Sequence, residues 1–408
     1  MNLPHVWTRV TIVAFGVGLG PLIQLIAMPL LARIYGPAEF GQLALFTSVV
    51  SILTVVSCLR YEGAIQVVDD SKVDSIVWAS VLVAVFTLTI GMPVLHLGIL
   101  QKYFESLYNL TNDASWVPIA ATCAGIISVA SNLTIRTNRY VRNALLRSGA
   151  SVLFVVIALG SSGVSLLHAN VIAFAIVGVV ALGYLLSTVK KKNIHDTLRT
   201  ARSYMKYPML LAPTSLLDAV ALTLPVLFIS GSWGMESTGH YAQIQRLVGA
   251  PMLFASVVAG QLFAKRSGEL YRAGESSTAL LCRIVRNLAL GGVVVIVAIA
   301  WFGEPICRLI LGSGWRFDTQ FLLLVSVPLV VRAVITPIST VFLTHNRIGV
   351  AVAWQIIYFG LTYASLKYAA STMSFERFLL AYGFIEVMAY LLYLGLGHAV
   401  AAIKKVAA

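Results

Sequence analysis

The sequence predicts an all-α polytopic membrane protein, with about twelve transmembrane helices in two parallel six-helix bundles around a central cavity. Three observations predict this: an apolar composition, a succession of hydrophobic segments of spanning length, and an internal repeat. Of 408 residues, 59% are hydrophobic and 11% are charged, with a mean hydropathy of +0.88. A soluble domain carries about 25% charged residues, and no soluble interior of this size hides so much apolar side chain. The bilayer accepts it.

A spanning helix needs about 20 mostly apolar residues. Twelve segments qualify, near 11–32, 40–59, 76–100, 116–135, 148–168, 170–189, 209–230, 240–263, 287–303, 321–343, 350–370 and 378–400. The first follows a short polar N-terminus with no small-residue cleavage site behind it, so it reads as a span and not as a removed signal. His168-Ala169-Asn170 makes a brief polar break between the fifth and sixth. Glu304 and Arg308 interrupt the apolar pattern after the ninth.

Lysine and arginine in short loops set the orientation. With the N-terminus in the cytoplasm, 21 of the 29 basic residues fall on the cytoplasmic side, among them Arg60, Arg136, Lys190, Lys191, Lys192, Arg199, Arg202, Lys404 and Lys405. Six fall outside (Arg33, Lys102, Arg308, Arg316, Lys367 and Arg377), and Arg246 and Arg332 lie within spans. Both termini are then cytoplasmic, in agreement with an even helix count. The net charge of +13 is thus a topology signal rather than a nucleic-acid footprint. The longest cytoplasmic connections, near 190–208 and 264–286, read as amphipathic helices on the membrane surface, and the longest outer one lies near 101–115. No loop has room for a soluble catalytic domain, so an enzyme is not expected.

The junction of the first two spans carries Pro29, Gly36, Gly41 and Ala44, and that of the seventh and eighth carries Pro225, Gly234, Gly239 and Ala242. This match fits a six-plus-six duplication, with bundles at 1–190 and 209–408 joined by an amphipathic linker at 191–208. Six is even, so the halves are parallel, an arrangement suited to a transporter.

Cys58, Cys123, Cys282 and Cys307 form no CxxC pair and read as small core residues; the seven histidines are scattered, so no metal site is expected. Gly16, Gly18 and Gly20 do not make GxGxxG and serve helix packing.

Three stretches carry a family resemblance: MPLLARIYGPAEFGQLALFTSVVSILTVVSCLRYEGAIQVVDD near 28–70, YMKYPMLLAPTSLLDAVALTLPVLFISG at 204–231 and GHYAQIQRLVGAPMLFASVVAGQLF at 239–263. They resemble the polysaccharide-exporter branch of the multidrug/oligosaccharidyl-lipid/polysaccharide superfamily, which includes the O-antigen and capsule flippases. The resemblance implies a flippase that moves an undecaprenyl-pyrophosphate-linked oligosaccharide, such as a lipopolysaccharide repeat unit, across the bacterial cytoplasmic (inner) membrane. It implies two bundles rocking around a hydrated cavity. A polysaccharide polymerase and a chain-length regulator are the protein partners such a pathway suggests. With no nucleotide motif, transport has to draw on an ion gradient (a proton or sodium ion) or on downstream consumption of the substrate.

A charge within a span is a functional candidate by default. Arg246 and Arg332 are candidates for the pyrophosphate, which a guanidinium binds bidentately. Asp218 and Glu386 are candidates for ion coupling or for pairing with those arginines. Arg60, Tyr61 and Glu62 form a candidate inner gate, and Arg33 and Glu39 its outer counterpart. Pro21, Pro29, Pro213 and Pro225 are candidate bending points, because proline removes a helical hydrogen bond. Three other readings compete: a drug/cation antiporter of the same fold, predicting an acidic aromatic cavity; a polysaccharide polymerase or ligase, predicting a long outer loop; and a membrane scaffold, which has little use for buried charge.

Overall fold

A computed structural model describes residues 3–96, 113, 115–161, 163–315 and 317–403, with side chains from residue 19 on apart from those of 94–96, Leu210 and Ile348. The outer connection near 101–112 with Lys102, together with Arg316, Lys404 and Lys405, lies outside the described residues.

The described chain is helical throughout. Its helices are α1 (Leu3–Ile34), α2 (Pro37–Ser57), α3 (Tyr61–Ala64), α4 (Val73–His96), α5 (Trp116–Arg136), α6 (Tyr140–Gly160), α7 (Leu166–Thr188) and α8 (Ile194–Ser203). There follow α9 (Lys206–Ser232), α10 (Gly234–Arg272), α11 (Thr278–Leu311), α12 (Thr319–Ile335), α13 (Thr340–Thr344), α14 (Ile348–Thr372) and α15 (Phe375–Ala401). Among the described residues, 11 helical segments are long and apolar enough to cross a membrane, and α1 adds the shorter apolar stretch Leu19–Ile34 in the place of the remaining expected span. The chain is an all-α multi-pass membrane protein.

Local chemistry explains the helix starts. Pro37 opens α2, where its missing N–H costs nothing. Ser165 and Asp318 cap α7 and α12 by accepting from the amides of His168 and Phe321. After α12 the chain tightens into a 3-10 turn at Thr336–Ser339 before α13. Pro337 has no N–H to continue the α-helical ladder, so the expected span at 321–343, found as the single apolar segment Thr319–Thr344, is built of α12, this turn and α13 in succession.

The chain forms two compact units, Met1–Gly239 and His240–Ala408. This boundary differs from the expected division at 190 and 209, because α9 packs on α2 and so belongs with the first unit. In the first unit α5 is central, touching α2, α4, α6 and α7, while α1 lies along α6. Leu45, Phe46, Val49, Val117, Ala121, Leu167 and Leu227 fill one core, and Ile76, Val129, Ala130, Leu133 and Ala181 another. Small residues allow close approach: Gly125 faces Ser57 and Cys58, and Gly178 faces Cys123. In the second unit α12 packs between α11 and α15, and α14 lies against α15.

Two expectations near the middle of the chain change. The segment 264–286 is not a separate surface helix: α10 runs unbroken to Arg272, and α11 begins at Thr278. Glu304 and Arg308 do not interrupt α11. One turn apart, they pair with each other at 3.0 Å on its exposed face. Cys58 and Cys307 are buried as expected, whereas Cys282 is exposed.

Two glycines of the expected repeat meet inside the first unit. A Cβ on Gly41 would collide with the carbonyl oxygen of Met235, and a Cβ on Gly239 would collide with that of Pro37. Each glycine also faces the other's amide nitrogen at 3.1 Å from its would-be Cβ. The opening turns of α2 and α10 therefore cross backbone to backbone in a reciprocal manner, at positions that match in the expected repeat.

Candidate functional site

Arg332 and Glu386 are brought together. Arg332 lies near the end of α12 and Glu386 in the middle of α15, and the packing of those helices sets Nη1 3.3 Å from Oε1. That contact lacks hydrogen-bond alignment, leaving Oε1 without a hydrogen-bond partner among the described residues. Oε2 accepts from the Tyr358 hydroxyl of α14 at 2.8 Å. The Tyr390 ring lies 5.7 Å beneath the guanidinium, within cation–π range. Glu386 is 2% exposed. The hydroxyls of Tyr241 and Tyr382 meet beside the pair. Outward from Tyr358, stacked rings run through Trp354 and Tyr393 to Phe342. The result is a dry ion pair wrapped in aromatics that clamps α12, α14 and α15.

Arg246 is different. It sits well inside α10, half-buried, and makes no hydrogen bond or ion pair among the described residues. Asp218 stands on an exposed face of α9 in the first unit.

Arg60, Tyr61 and Glu62 form a joined cluster where α2 ends. Leu59 and Arg60 both take left-handed backbone angles, φ 45 and φ 60, which turn the chain into α3. Such angles cost roughly 1 kcal/mol or more at a residue with a Cβ, so other contacts must hold the turn. Arg60 Nε donates to Ser215 Oγ of α9 at 2.9 Å, and its Nη1 lies 3.7 Å from Glu62 Oε1. The Tyr61 hydroxyl donates to the Ala201 carbonyl of α8. Glu62 is 6% exposed, and its Oε2 has no hydrogen-bond partner among the described residues. Burial holds its carboxyl above the ordinary range, outweighing the pull of Arg60. Burial likewise raises the Tyr61 hydroxyl and the neighbouring Cys58 thiol.

At the other end of α2, Glu39 Oε2 accepts from the Leu166 amide at 3.3 Å, adding a second acceptor to the first turn of α7. Arg33 is exposed in the last turn of α1. Between them the Tyr35 hydroxyl reaches the carbonyls of Ala158 and Val164, at 2.9 and 3.0 Å. Pro21 and Pro29 lie within α1, and Pro213 and Pro225 within α9. Prolines also lie within α4, α10, α11 and α12, so the feature is not peculiar to the repeat.

Sequence reasoning missed the tyrosines around Glu386, although a signal existed. Tyr382, Glu386 and Tyr390 recur every four residues, as do Trp354 and Tyr358, which places each set on one helical face. It also missed Ser215, for which a lone serine in a span offers no signal.

The fold is one shared with solved transporters of the multidrug/oligosaccharidyl-lipid/polysaccharide superfamily. Two solved structures share the fold. One is an inward-facing multidrug resistance MATE family transporter of that superfamily, with TM-score 0.68 and 14% identity over 95% of this chain and 97% of the other. The second is a superfamily transporter from Pyrococcus furiosus, with TM-score 0.62 and 13% identity over 96% of this chain and 95% of the other. Residues 30–317 match the polysaccharide biosynthesis protein family, and the chain belongs to it. It is 24% identical over 367 residues to the succinoglycan biosynthesis transport protein ExoT of Rhizobium meliloti (strain 1021), covering 85% of this chain and 71% of that protein. The branch implied by the three sequence stretches is thus the polysaccharide-exporter branch.

Proposed function

We propose that this protein flips an undecaprenyl-pyrophosphate-linked oligosaccharide, the repeat unit of a surface polysaccharide, from the inner to the outer leaflet of the bacterial cytoplasmic membrane by alternating access. The observation that carries the reading is Arg246, a guanidinium within a span and without a protein partner among the described residues. A charge there is costly unless something pairs with it, and a pyrophosphate offers oxygens in the geometry a guanidinium prefers. The name of the succinoglycan relative supports a polysaccharide intermediate as cargo.

Both termini face the cytoplasm in this reading, and the two halves of the duplication rock. The α2–α10 crossing at Gly41 and Gly239 closes the outer end, with Arg33 and Glu39 nearby in sequence. The Arg60–Tyr61–Glu62 turn gates the inner end, and the prolines of α1 and α9 supply bending. Arg332 is held by Glu386 and acts as a clamp rather than a first contact for phosphate. Glu62, buried with a raised carboxyl and with its Oε2 lacking a hydrogen-bond partner among the described residues, joins Glu386 and Asp218 as a candidate carrier of a coupling proton. A polymerase and a chain-length regulator act next on the flipped product.

The test is complementation of a gene deletion with wild type or Arg246→Ala, at matched protein levels, scoring surface polysaccharide and lipid-linked intermediates. Loss of polysaccharide with accumulation of lipid-linked units, unrescued by Arg246→Ala, supports function and site together. Full rescue by Arg246→Ala removes the site. Unchanged polysaccharide with new sensitivity to cationic dyes replaces the flippase by an antiporter.

A further inference from the structure

We propose that α8 and the lysine run before it form a docking surface for anionic lipid headgroups of the cytoplasmic leaflet. This rests on the orientation proposed above. The segment from Lys190 to Lys206 carries six basic residues and one acidic residue, Asp196. Lys190, Lys191, Lys192, Arg199 and Arg202 are all exposed.

The helix is fixed against the protein by one side only. Thr197, 1% exposed, faces inward, and α8 packs on α4. The Ala201 carbonyl accepts from Tyr61, and the Lys190 carbonyl accepts from Trp78 Nε1 at 3.1 Å. That anchoring decides what points outward. Ile194 and Leu198, one turn apart, are 62% and 60% exposed. At 100° per residue they lie between the buried Thr197 and the basic flank of Arg199 and Arg202. A helix lying in the headgroup layer beside its own bundle needs this sequence of faces: protein, acyl chain, phosphate. Two large aliphatic side chains in water would be unfavourable, whereas the bilayer boundary accepts them. The neighbouring cations select anionic headgroups over zwitterionic ones by charge.

The experiment places the full chain in nanodiscs of phosphatidylcholine alone or mixed with phosphatidylglycerol, and follows amide hydrogen exchange over residues 194–203. With phosphatidylglycerol, exchange there should slow at least roughly tenfold, and added salt should erase the difference. A variant with Lys190, Lys191, Lys192, Arg199 and Arg202 changed to Gln should exchange equally in both. Equal protection of the wild type in both lipids, or a phosphatidylglycerol effect that survives in the Gln variant, overturns the proposal. Orientation is checked separately. Asn193→Cys should react with an impermeant maleimide in inside-out vesicles, and not in intact cells, over the wild-type background. The opposite result overturns the assignment to the cytoplasmic leaflet. None of these readouts depends on transport, so the flippase reading can fail while the lipid surface stands.

Discussion

Two arginines within spans of the same unit, Arg246 on α10 and Arg332 on α12, have met the cost of a buried charge in opposite ways. Arg332 has a carboxylate at 3.3 Å and an aromatic face beneath it. Arg246 has no hydrogen bond or ion pair among the described residues. Residue type and depth do not separate them in the sequence; surroundings do. A paired charge fixes helices relative to each other, whereas an unpaired one stays available to a ligand. The contrast therefore divides structural from working charge, and each prediction below either breaks that division or refines it.

The largest effect on activity belongs to Arg246→Ala. It should lower transport by at least roughly tenfold, since a charge-assisted bond to phosphate contributes about 1.5–3 kcal/mol. Thermal stability in detergent should stay within about 0.5 kcal/mol of wild type. Arg246→Lys should recover part of the rate only, because an ammonium lacks the bidentate fork. A large stability loss in Arg246→Ala would show that this arginine is structural after all.

The largest effect on stability belongs to the other arginine. Arg332→Ala or Glu386→Ala strands the remaining charge and should cost about 3–5 kcal/mol, read as lost thermal stability and lower protein yield. The double change Arg332→Met with Glu386→Leu removes both charges and should cost less than either single change. If instead all three variants remain stable and lose transport, the clamp reading fails and the pair joins the working residues.

Next in size are the crossing glycines. Gly41→Ala and Gly239→Ala each push a methyl group into a backbone carbonyl of the other helix. Each should cost about 1–3 kcal/mol. The two changes strain one crossing, so their costs should not add. Simple additivity in thermal unfolding would mean that the two contacts relax independently.

Much of the fold was legible because the bilayer imposes a length and a polarity on every span. Hydropathy marks where the membrane ends but not where a helix ends, so the run containing Lys265, Arg266, Glu269 and Arg272 reads as a surface segment although α10 continues through it. The spacing of Gly41 and Gly239 in the repeat was visible, but their meeting was not, because spacing within each segment gives no register between distant ones. All four intramembrane charges were legible as charges. That Arg332 pairs with Glu386 depended on α12, α14 and α15 converging, a fact of packing beyond the reach of periodicity. The Tyr382–Glu386–Tyr390 face was the readable part of that site.

A smaller effect, with a sign that depends on pH, concerns Glu62. Its carboxyl lies above the ordinary 4.5 of a glutamate because of burial. A raised acid binds its proton more tightly in the folded state, so the proton's stabilisation is full below 4.5 and is lost as pH rises through the raised value. Glu62→Gln should therefore be at least as stable as wild type at neutral pH, and the advantage should vanish on acidification. If Glu62 also carries the coupling proton, the same variant loses the pH dependence of transport while remaining folded. A variant less stable than wild type at neutral pH would mean that the contact with Arg60 outweighs burial, which reverses the direction assigned here.

The smallest effect should come from Ser215→Ala. The serine receives Arg60 Nε, and with it ties the left-handed end of α2 to α9. The bond is charge-assisted, but the Arg60 side chain is 41% exposed, so water replaces much of what is lost. A cost of about 1 kcal/mol or less follows. Transport should respond more than stability, because the hydroxyl supplies the side-chain tie between the turn and α9, and a gate is sensitive to small biases between states. Ser215→Thr keeps the hydroxyl and should restore the rate. Equal loss of rate and stability across Ala and Thr would make the site a packing contact, leaving the strained Leu59–Arg60 turn to be held by Tyr61 and Glu62 alone.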